Sequence, residues 1–524
     1  MGIRHRTPQS LLPSLLVEER ARPARIRKRP GAWRLAVATV CFGAFMGQLD
    51  ASIVTLTYGA LRSEFRISLA AVEWVSLAYL LTLVALLVPV GRLADAHGRK
   101  LFYLYGFAVF TVASGACGLA GSLTALVGFR VAQAAGAAMM QANSVALVTT
   151  SAPREKLRSA LGVQAAAQAL GLALGPTVGG ALVSAFGWRW VFAVNVPVGI
   201  VSLVAGHYLL PRTRSRTPAA GFDWPGLALL AVTTTCLLLG VSAASGLPFP
   251  AWAVAALFAA AAVTGRGFAV RQLRAARPLV DPALLRRREI ATGLAGALCS
   301  YLVLFGPLVL VPVVLTARGA SELTAGLVLT ALPAGFALGA TCADRVLPAT
   351  TADRGRCLVG GVICAGTLAT MTALPPTAAV LAPLLVVLGV GLGTFTPANN
   401  AIVMAAIPAR SSGTGGGLVN MARGLGTALG IALVTLALHL GGSEAPGNDG
   451  PRWAVVALLL VSLLALAAAW AGARPDQRPV RGAGNCATSP HRPAADALPQ
   501  GSGAKPRALR LRARRGRSRS SPRP

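Results

Sequence analysis

The chain has 524 residues, 54% of them hydrophobic and only 13% charged, and a mean hydropathy of +0.63. A soluble protein of that length would fold as about three domains, but apolar runs near twenty residues recur here, the ~20 that a bilayer-crossing helix requires. The net charge of +32 has the size of a nucleic-acid signal, yet it gathers in the polar breaks and at the two ends, which excludes that reading.

Fourteen spans follow in chain order: 35–57, 73–92, 101–120, 123–149, 159–185, 190–210, 224–242, 251–271, 290–316, 323–341, 356–374, 378–405, 412–440 and 453–473. They are too long and continuous for barrel strands, and only helices or closed barrels satisfy their backbone in lipid. The expected fold is therefore an all-α polytopic membrane protein. Of the 49 Lys and Arg, 42 fall on the side of the termini when Arg92, Arg266, Arg271 and Arg356, in the span ends toward that side, are counted with it; five fall on the other side and two, Arg130 and Arg423, within spans. That bias places both termini in the cytoplasm and the protein in a plasma membrane. An odd number of spans would scramble it. Twelve spans would require two mid-chain runs to be misassigned.

The first 33 residues form a basic cytoplasmic segment with Arg20, Arg22, Arg25, Arg27, Lys28 and Arg29. They lack the order of charge, short apolar core and small-residue cleavage site of a signal peptide. Residues 474–524, rich in Arg, Pro, Ser and Gly, form a second basic cytoplasmic segment. Both ends are expected to be disordered, since such compositions bury too little apolar surface to offset ordering entropy. Their partner is expected to be anionic lipid rather than RNA.

Asp50 lies in the first span, within Gly47-Gln-Leu-Asp50-Ala-Ser-Ile-Val. A carboxylate in hydrocarbon is costly unless paired, hydrated or protonated. It either titrates as its surroundings change or ties helices together. Gly91-Arg92-Leu-Ala-Asp95-Ala-His97-Gly98-Arg99-Lys100 follows the second span. Its two glycines suit a tight turn. Asp95 is expected to favour the positive end of the next helix or to pair with Arg92 or Arg99. His97 reads as an exposed loop residue rather than a proton relay.

Arg130, in the fourth span, cannot shed its proton and must face water, a carboxylate or the bundle interior. It is the natural partner of Asp50. Polar amides punctuate the apolar spans. Gln133, Gln141, Asn143, Gln164, Gln168, Asn399 and Asn400 either line a substrate cavity or only bond across helices. Arg423, with Asn420 nearby, is a second cation in the distal half and reads as structural.

Gly171-Leu-Ala-Leu-Gly175-Pro176-Thr-Val-Gly179-Gly180 lies in the fifth span. Gly171, Gly175 and Gly179 share one helix face. That face admits another helix to backbone contact in lipid, and Pro176 is expected to bend the helix beside it. The chain also repeats. Gln141-Ala-Asn143-Ser-Val-Ala is echoed by Pro397-Ala-Asn399-Asn400-Ala-Ile, and Gly171-Leu-Ala-Leu-Gly175 by Gly426-Thr-Ala-Leu-Gly430, at offsets of 256 and 255. Span four thus maps onto span twelve and five onto thirteen. Two further spans, 224–242 and 251–271, lie between the halves. The organisation is two pseudo-symmetric six-helix bundles, 34–212 and 289–473, with an inserted helix pair and its linkers at 213–288. No phosphate-binding loop, metal-site spacing or nucleophile–base pair is visible, so no enzyme, metal or cofactor is expected.

Together these residues resemble the major facilitator superfamily, in its fourteen-helix drug:proton antiporter branch. Gly91–Lys100 is similar to the motif between spans two and three. Arg130–Ala138 is similar to the fourth-span motif, and Gly171–Gly180 to the antiporter motif of span five. Leu49-Asp50 with Ile53-Val54 is similar to the first-span motif. Trp188-Arg-Trp-Val-Phe192-Ala-Val-Asn195-Val-Pro197 and Phe222-Asp223-Trp224 are similar to segments of this branch. Ala134 departs from the pattern, as do Gly424 and the degraded second loop motif between Gly339 and Arg356. The resemblance implies alternating access and export of amphipathic drugs or antibiotics in exchange for protons, with the proton gradient as the energy source. It implies that Asp50 and Arg130 carry the coupling and that the Gly171–Gly180 helix seals and flexes. The Ala/Arg/Gly-rich usage suggests a GC-rich bacterial genome. A monomer is expected. A nutrient symporter and a non-transporting receptor are the rival readings.

Overall fold

The computed structural model describes residues 19, 22–27, 31–67, 69–213, 222–244, 249–276, 278–348, 350–440 and 450–472. Fourteen long helices dominate them: α1 (Ala32–Ile53), α2 (Leu69–His97), α3 (Arg99–Gly118), α4 (Leu123–Ser151), α5 (Leu157–Phe186), α6 (Arg189–Leu209, with a turn at Val194), α7 (Trp224–Ala244), α8 (Ala251–Arg274), α9 (Arg288–Ala317), α10 (Glu322–Val346), α11 (Asp353–Ala373), α12 (Ala378–Ala406), α13 (Ser412–Leu440) and α14 (Gly450–Ala471). Thirteen are long and apolar enough to cross a membrane. α5 is the fourteenth, thirty residues with no charge after Arg158. Large apolar side chains such as Trp252, Val263, Leu464 and Trp470 point outward, as they do where the solvent is lipid.

The two halves repeat one packing scheme. In the first, α1 packs on α4, α5 and α6, α4 on α2 and α3, and α3 on α6. In the second, α9 packs on α12, α13 and α14, α12 on α10 and α11, and α11 on α14. Every pairing recurs eight helices later. Across the seam, α2 meets α13 and α5 meets α10, which is the same contact turned about a pseudo-two-fold axis. The inserted hairpin leans on this frame through α7, which touches α2 and α13, while α8 packs chiefly on α7. Asp223 pins the hairpin at its base by accepting from Gly226 N (3.0 Å), Arg271 Nε (2.7 Å) and Gln272 Nε2 (3.2 Å). Burial alone would raise that carboxyl, but these donors outweigh it and hold it below the usual carboxylate range.

Two expectations change. The Gly91–Lys100 segment is not a loop between helices: α2 continues through it to His97, and only Gly98, at φ +123°, makes the turn into α3. Part of the basic N-terminal segment is ordered. Residues Ala24–Arg27 form a helical turn, and Arg22 Nε donates to Leu209 O at 2.6 Å. Glu19 accepts from Thr213 N (2.7 Å) and Thr213 Oγ1 (2.8 Å), which secures the segment against the α6 exit. The expected disorder of 474–524 concerns residues outside the described ones.

The glycine face of α5 meets α1. A methyl group on Gly171 would overlap the carbonyl oxygen of Phe45, and one on Gly175 would overlap Ser52. At Gly179 it would lie 2.6 Å from Ile53 Cγ1. Gly180 looks elsewhere: a Cβ there would sit 3.6 Å from Leu56 Cδ1, an ordinary contact. The backbone of α5 is helical through position 176; the Pro176 side chain is outside the described residues. Gly175→Val therefore has to push α1 away and should cost about 1–3 kcal/mol, read as a lower unfolding midpoint of the detergent-solubilised protein. Gly180→Ala should leave that midpoint unchanged.

Candidate functional site

Asp50 and Arg130 meet in the interior of the first half. Arg130 Nη1 donates to Asp50 Oδ2 at 2.7 Å, and both residues are 1% exposed. An ion pair in a low-dielectric interior holds only when the remaining donors and lone pairs are also satisfied. Here they are. Gln133 Nε2 (2.9 Å) and Asn195 Nδ2 (2.8 Å) donate to Asp50 Oδ1. Arg130 also donates to Gln133 Oε1 at 2.6 Å and to the Val75 carbonyl at 3.2 Å. Gln133 Nε2 reaches Ser114 Oγ at 2.7 Å. The guanidinium carbon lies 4.0 Å from the centre of the Tyr79 ring, a cation–π contact. Five helices, α1, α2, α3, α4 and α6, thus share one network around one carboxylate. Ala134, where the family motif has glycine, is fully buried beside it.

The second half does not copy this pair. The approach of Gly171 to Phe45 recurs as that of Gly426 to Leu298. Carried over in that register, Asp50 corresponds to Val303; at the offset of the fourth-span echo, Arg130 corresponds to Val386. The charge chemistry sits in one half of a nearly symmetric frame.

A cavity of about 200 Å³ lies between the halves. Gln48, Ser76, Tyr79, Arg130, Gln141 and Gln168 line it from one side, and Tyr301, Phe305, Asn420, Arg423, Gly424 and Thr427 from the other. Arg130 therefore has two faces, one on Asp50 and one on the cavity. The volume is below the ~300–1,000 Å³ of pockets for drug-sized molecules, so a ligand of that size requires the halves to part. Arg423 Nη1 donates to Asn420 Oδ1 (3.2 Å) and Gln168 Oε1 (3.3 Å), and its guanidinium lies 5.1 Å from the Tyr301 ring centre. This cation borders the cavity and is not a remote structural residue.

Of the seven amides that either line a cavity or only bond across helices, Gln141 and Gln168 line this one. The other five, candidates for the cavity, lie away from it. Gln133 belongs to the Asp50 network. Asn143 donates to the Met139 carbonyl one turn back (2.8 Å), and Gln164 Nε2 to Ser144 Oγ (3.0 Å). Asn399 ties α12 to the Gly293 carbonyl of α9 at 2.8 Å. Asn400 is 1% exposed and packed inside the second half. For Asn143, Gln164 and Asn399 the reason is shared: in an apolar helix bundle the nearest backbone or hydroxyl group captures an amide. Neither polar side-chain atom of Asn400 has a hydrogen-bond partner among the described residues. Sequence reading also missed Ser114, Tyr79 and the role of Asn195. Asn195 had a visible signal, a lone amide opening a span, but its chain separation from Asp50 hid the contact.

A second buried acid locks the seam. Asp95 accepts from Gly413 N (2.8 Å), Thr414 N (2.7 Å) and Thr414 Oγ1 (2.8 Å) at the start of α13, and from Arg99 Nε (2.8 Å). It caps the positive end of a helix in the opposite half, not that of the next helix. Arg92 is half-buried on the flank of α2, and Arg99 Nη2 reaches across to the Ala409 carbonyl at 2.6 Å. Gly91 exists to let α13 in: its missing side chain would overlap the Gly413 carbonyl. Nearer the membrane centre, Asn420 Nδ2 donates to the Gln141 carbonyl at 2.8 Å. An ion pair, Arg158–Asp353 (2.7 Å), joins the halves on the other flank of this same end.

The sequence model of the Major Facilitator Superfamily matches residues 40–431 and 293–500. The tetracenomycin C resistance and export protein of Streptomyces glaucescens is 33% identical over 417 residues, covering 78% of this chain and 76% of that protein. The riboflavin transporter RibZ of Clostridioides difficile is 28% identical over 408 residues, covering 76% of this chain and 86% of that one. Among solved structures, the human organic anion transporter MFSD10 (TETRAN) aligns with a TM-score of 0.62 at 16% identity, over 84% of this chain and 100% of that one, a likeness of fold alone. The family match runs through both repeated halves, so the chain belongs to the Major Facilitator Superfamily, as a multi-pass membrane transporter of small molecules.

Proposed function

We propose that the protein is a proton-coupled antiporter that exports amphipathic small molecules, drugs or antibiotics among them, across a bacterial plasma membrane. Both termini lie in the cytoplasm in this reading, on the side that holds 42 of the 49 Lys and Arg. The observation that carries it is the double contact of Arg130, which holds Asp50 at 2.7 Å while lining the cavity. A proton on Asp50 cancels the charge that Arg130, Gln133 and Asn195 converge on, and loosens α1 against α4 and α6. A substrate beside Arg130 acts on the same guanidinium from the other face. One residue thus senses both cargoes, which is the requirement for coupling their movements. The Asp95 lock closes the end nearest the termini, and its release opens the cavity to the cytoplasm. The glycine face of α5 against α1 keeps the first half close-packed while the halves part.

Uptake of a nutrient by proton symport is the second reading, favoured by the likeness to a riboflavin transporter. The sign of a pH change separates the two. In inside-out vesicles with an acid lumen, tetracenomycin C, the compound named for the relative, serves as the first probe. Antiport predicts that adding it makes the lumen less acidic; symport predicts the opposite sign.

Asp50→Asn should reduce this proton-driven transport by roughly tenfold or more, the effect of losing about 1.4 kcal/mol or more of coupling. Full transport by that variant would refute the coupling role. Asp95→Asn weakens four hydrogen bonds at the seam and should lower stability by about 1–3 kcal/mol. It should also slow export, since the state closed toward the termini forms less completely; an unchanged transport rate would remove the lock from the cycle.

A further inference from the structure

The cavity holds an unbalanced charge. Arg130 is neutralised by Asp50, but among the described residues no carboxylate lines the cavity to neutralise Arg423. Arg423 is 5% exposed, its Nη1 rests on two neutral amides, and its Nε has no hydrogen-bond partner. A guanidinium cannot escape by deprotonation, so a buried one retained without an acid calls for a counter-charge from elsewhere. A second donor points the same way: the hydroxyl of Tyr79, 1% exposed and on the cavity wall, also lacks a partner.

The pseudo-symmetry sharpens this. At the register that pairs Gly171 with Gly426, Arg423 corresponds to Gln168, and these two residues bond to each other across the seam. A symmetric pair of amides would have left the cavity neutral. The chain instead places a fixed cation in one half and a neutral acceptor in the other. Rings of Tyr79, Tyr301 and Phe305 form much of the remaining wall. Flat apolar surface beside a lone cation and unpaired donors suits an aromatic ligand with an anionic oxygen.

We propose that the transported compounds are aromatic acids, carboxylates or ionised phenols, whose negative oxygen binds Arg423 at the cavity wall. This rests on the transporter reading and names its substrate class. The amphipathic character then divides in two: rings against Tyr301 and Phe305, charge against Arg423.

Equilibrium binding to the purified full-length protein tests it with three matched probes: 2-naphthoate, 2-naphthamide and (2-naphthylmethyl)trimethylammonium. The ring system is shared and only the charge differs. The wild type should bind the carboxylate roughly tenfold or more tighter than the amide, as expected for a buried charge-assisted contact, and the ammonium weakest. Arg423→Gln should bring carboxylate and amide to within about threefold of each other, and Arg423→Lys should keep most of the preference. Equal binding of carboxylate and amide by the wild type, binding of none of the probes, or a preference that survives Arg423→Gln would overturn the proposal. The wild-type comparison needs no variant to fold. Because no gradient is present, a failure here leaves the vesicle test of antiport standing, and a symport result there leaves this assignment standing.

Discussion

A guanidinium placed in mid-helix within hydrocarbon has to be answered by the structure around it, because it cannot be made neutral. Much of the first half is arranged as that answer to Arg130. Asp50 from α1 supplies the charge, the Val75 carbonyl and the Tyr79 ring come from α2, and Gln133 and Asn195 occupy the lone pairs that Arg130 leaves free. Each helix of the network is thereby fixed in rotation and height. The pseudo-symmetric half, with Val303 and Val386 at the matching positions, is held by apolar packing instead. In the proposed proton coupling, a carboxylate confined to one half would give a proton a mechanical effect on one bundle relative to the other, which a symmetric placement would cancel.

Small residues set where the frame can separate. Inside each half, glycine faces bring backbones into contact, α5 on α1 and α13 on α9, and no side chain has to move for those surfaces to stay dry. The seam between the halves has glycine approaches too, Gly91 to Gly413, Gly417 to Leu87 and Gly162 to Ala340, and adds polar contacts to them. Asp95 reaches into the first turn of α13, Arg99 to a carbonyl, and Arg158 to Asp353. Hydrogen bonds of this kind exchange for water at little net cost, whereas a close-packed apolar face does not. In the proposed cycle the polar contacts near the termini are the ones that break.

The fold was legible in the sequence because lipid restricts what a chain can do. Apolar length gave the helices, charge bias gave an even number of them, and two echoes near 255 residues located the inserted pair. The Asp50–Arg130 contact followed from scarcity, since two charges of opposite sign deep in one half have few other partners. The amides resisted reading for the opposite reason. Gln133, Asn143, Gln164, Asn399 and Gln168 look alike in sequence, and only the nearest acceptor decides between tying helices and facing a cavity. The pairing of Asp95 with Arg99 was legible, but its cap on α13 was not, because the seam and not chain proximity brings that helix start beside it. Gly91 was taken for a turn residue when it serves a close approach, and these two uses of glycine share one signature.

The charge inventory also constrains energetics. With Asp50 ionised and the cavity empty, Arg423 is, among the described residues, the cavity-lining charge without a carboxylate beside it; an organic anion bound there would neutralise it. Crossing from one access state to the other carries the cavity through its most occluded form, where net charge is most costly. The anion-loaded protein is then better suited to rearrange than the empty protein with Asp50 ionised. An anion moving outward and a proton moving inward also both run with an interior-negative potential, worth ~2.3 kcal/mol per charge for each 100 mV. Exchange of one for one would draw on the potential twice and on the pH difference once. A cation of similar shape would meet Arg423 unshielded and move against the potential, so the residue that attracts one class of compound excludes the other.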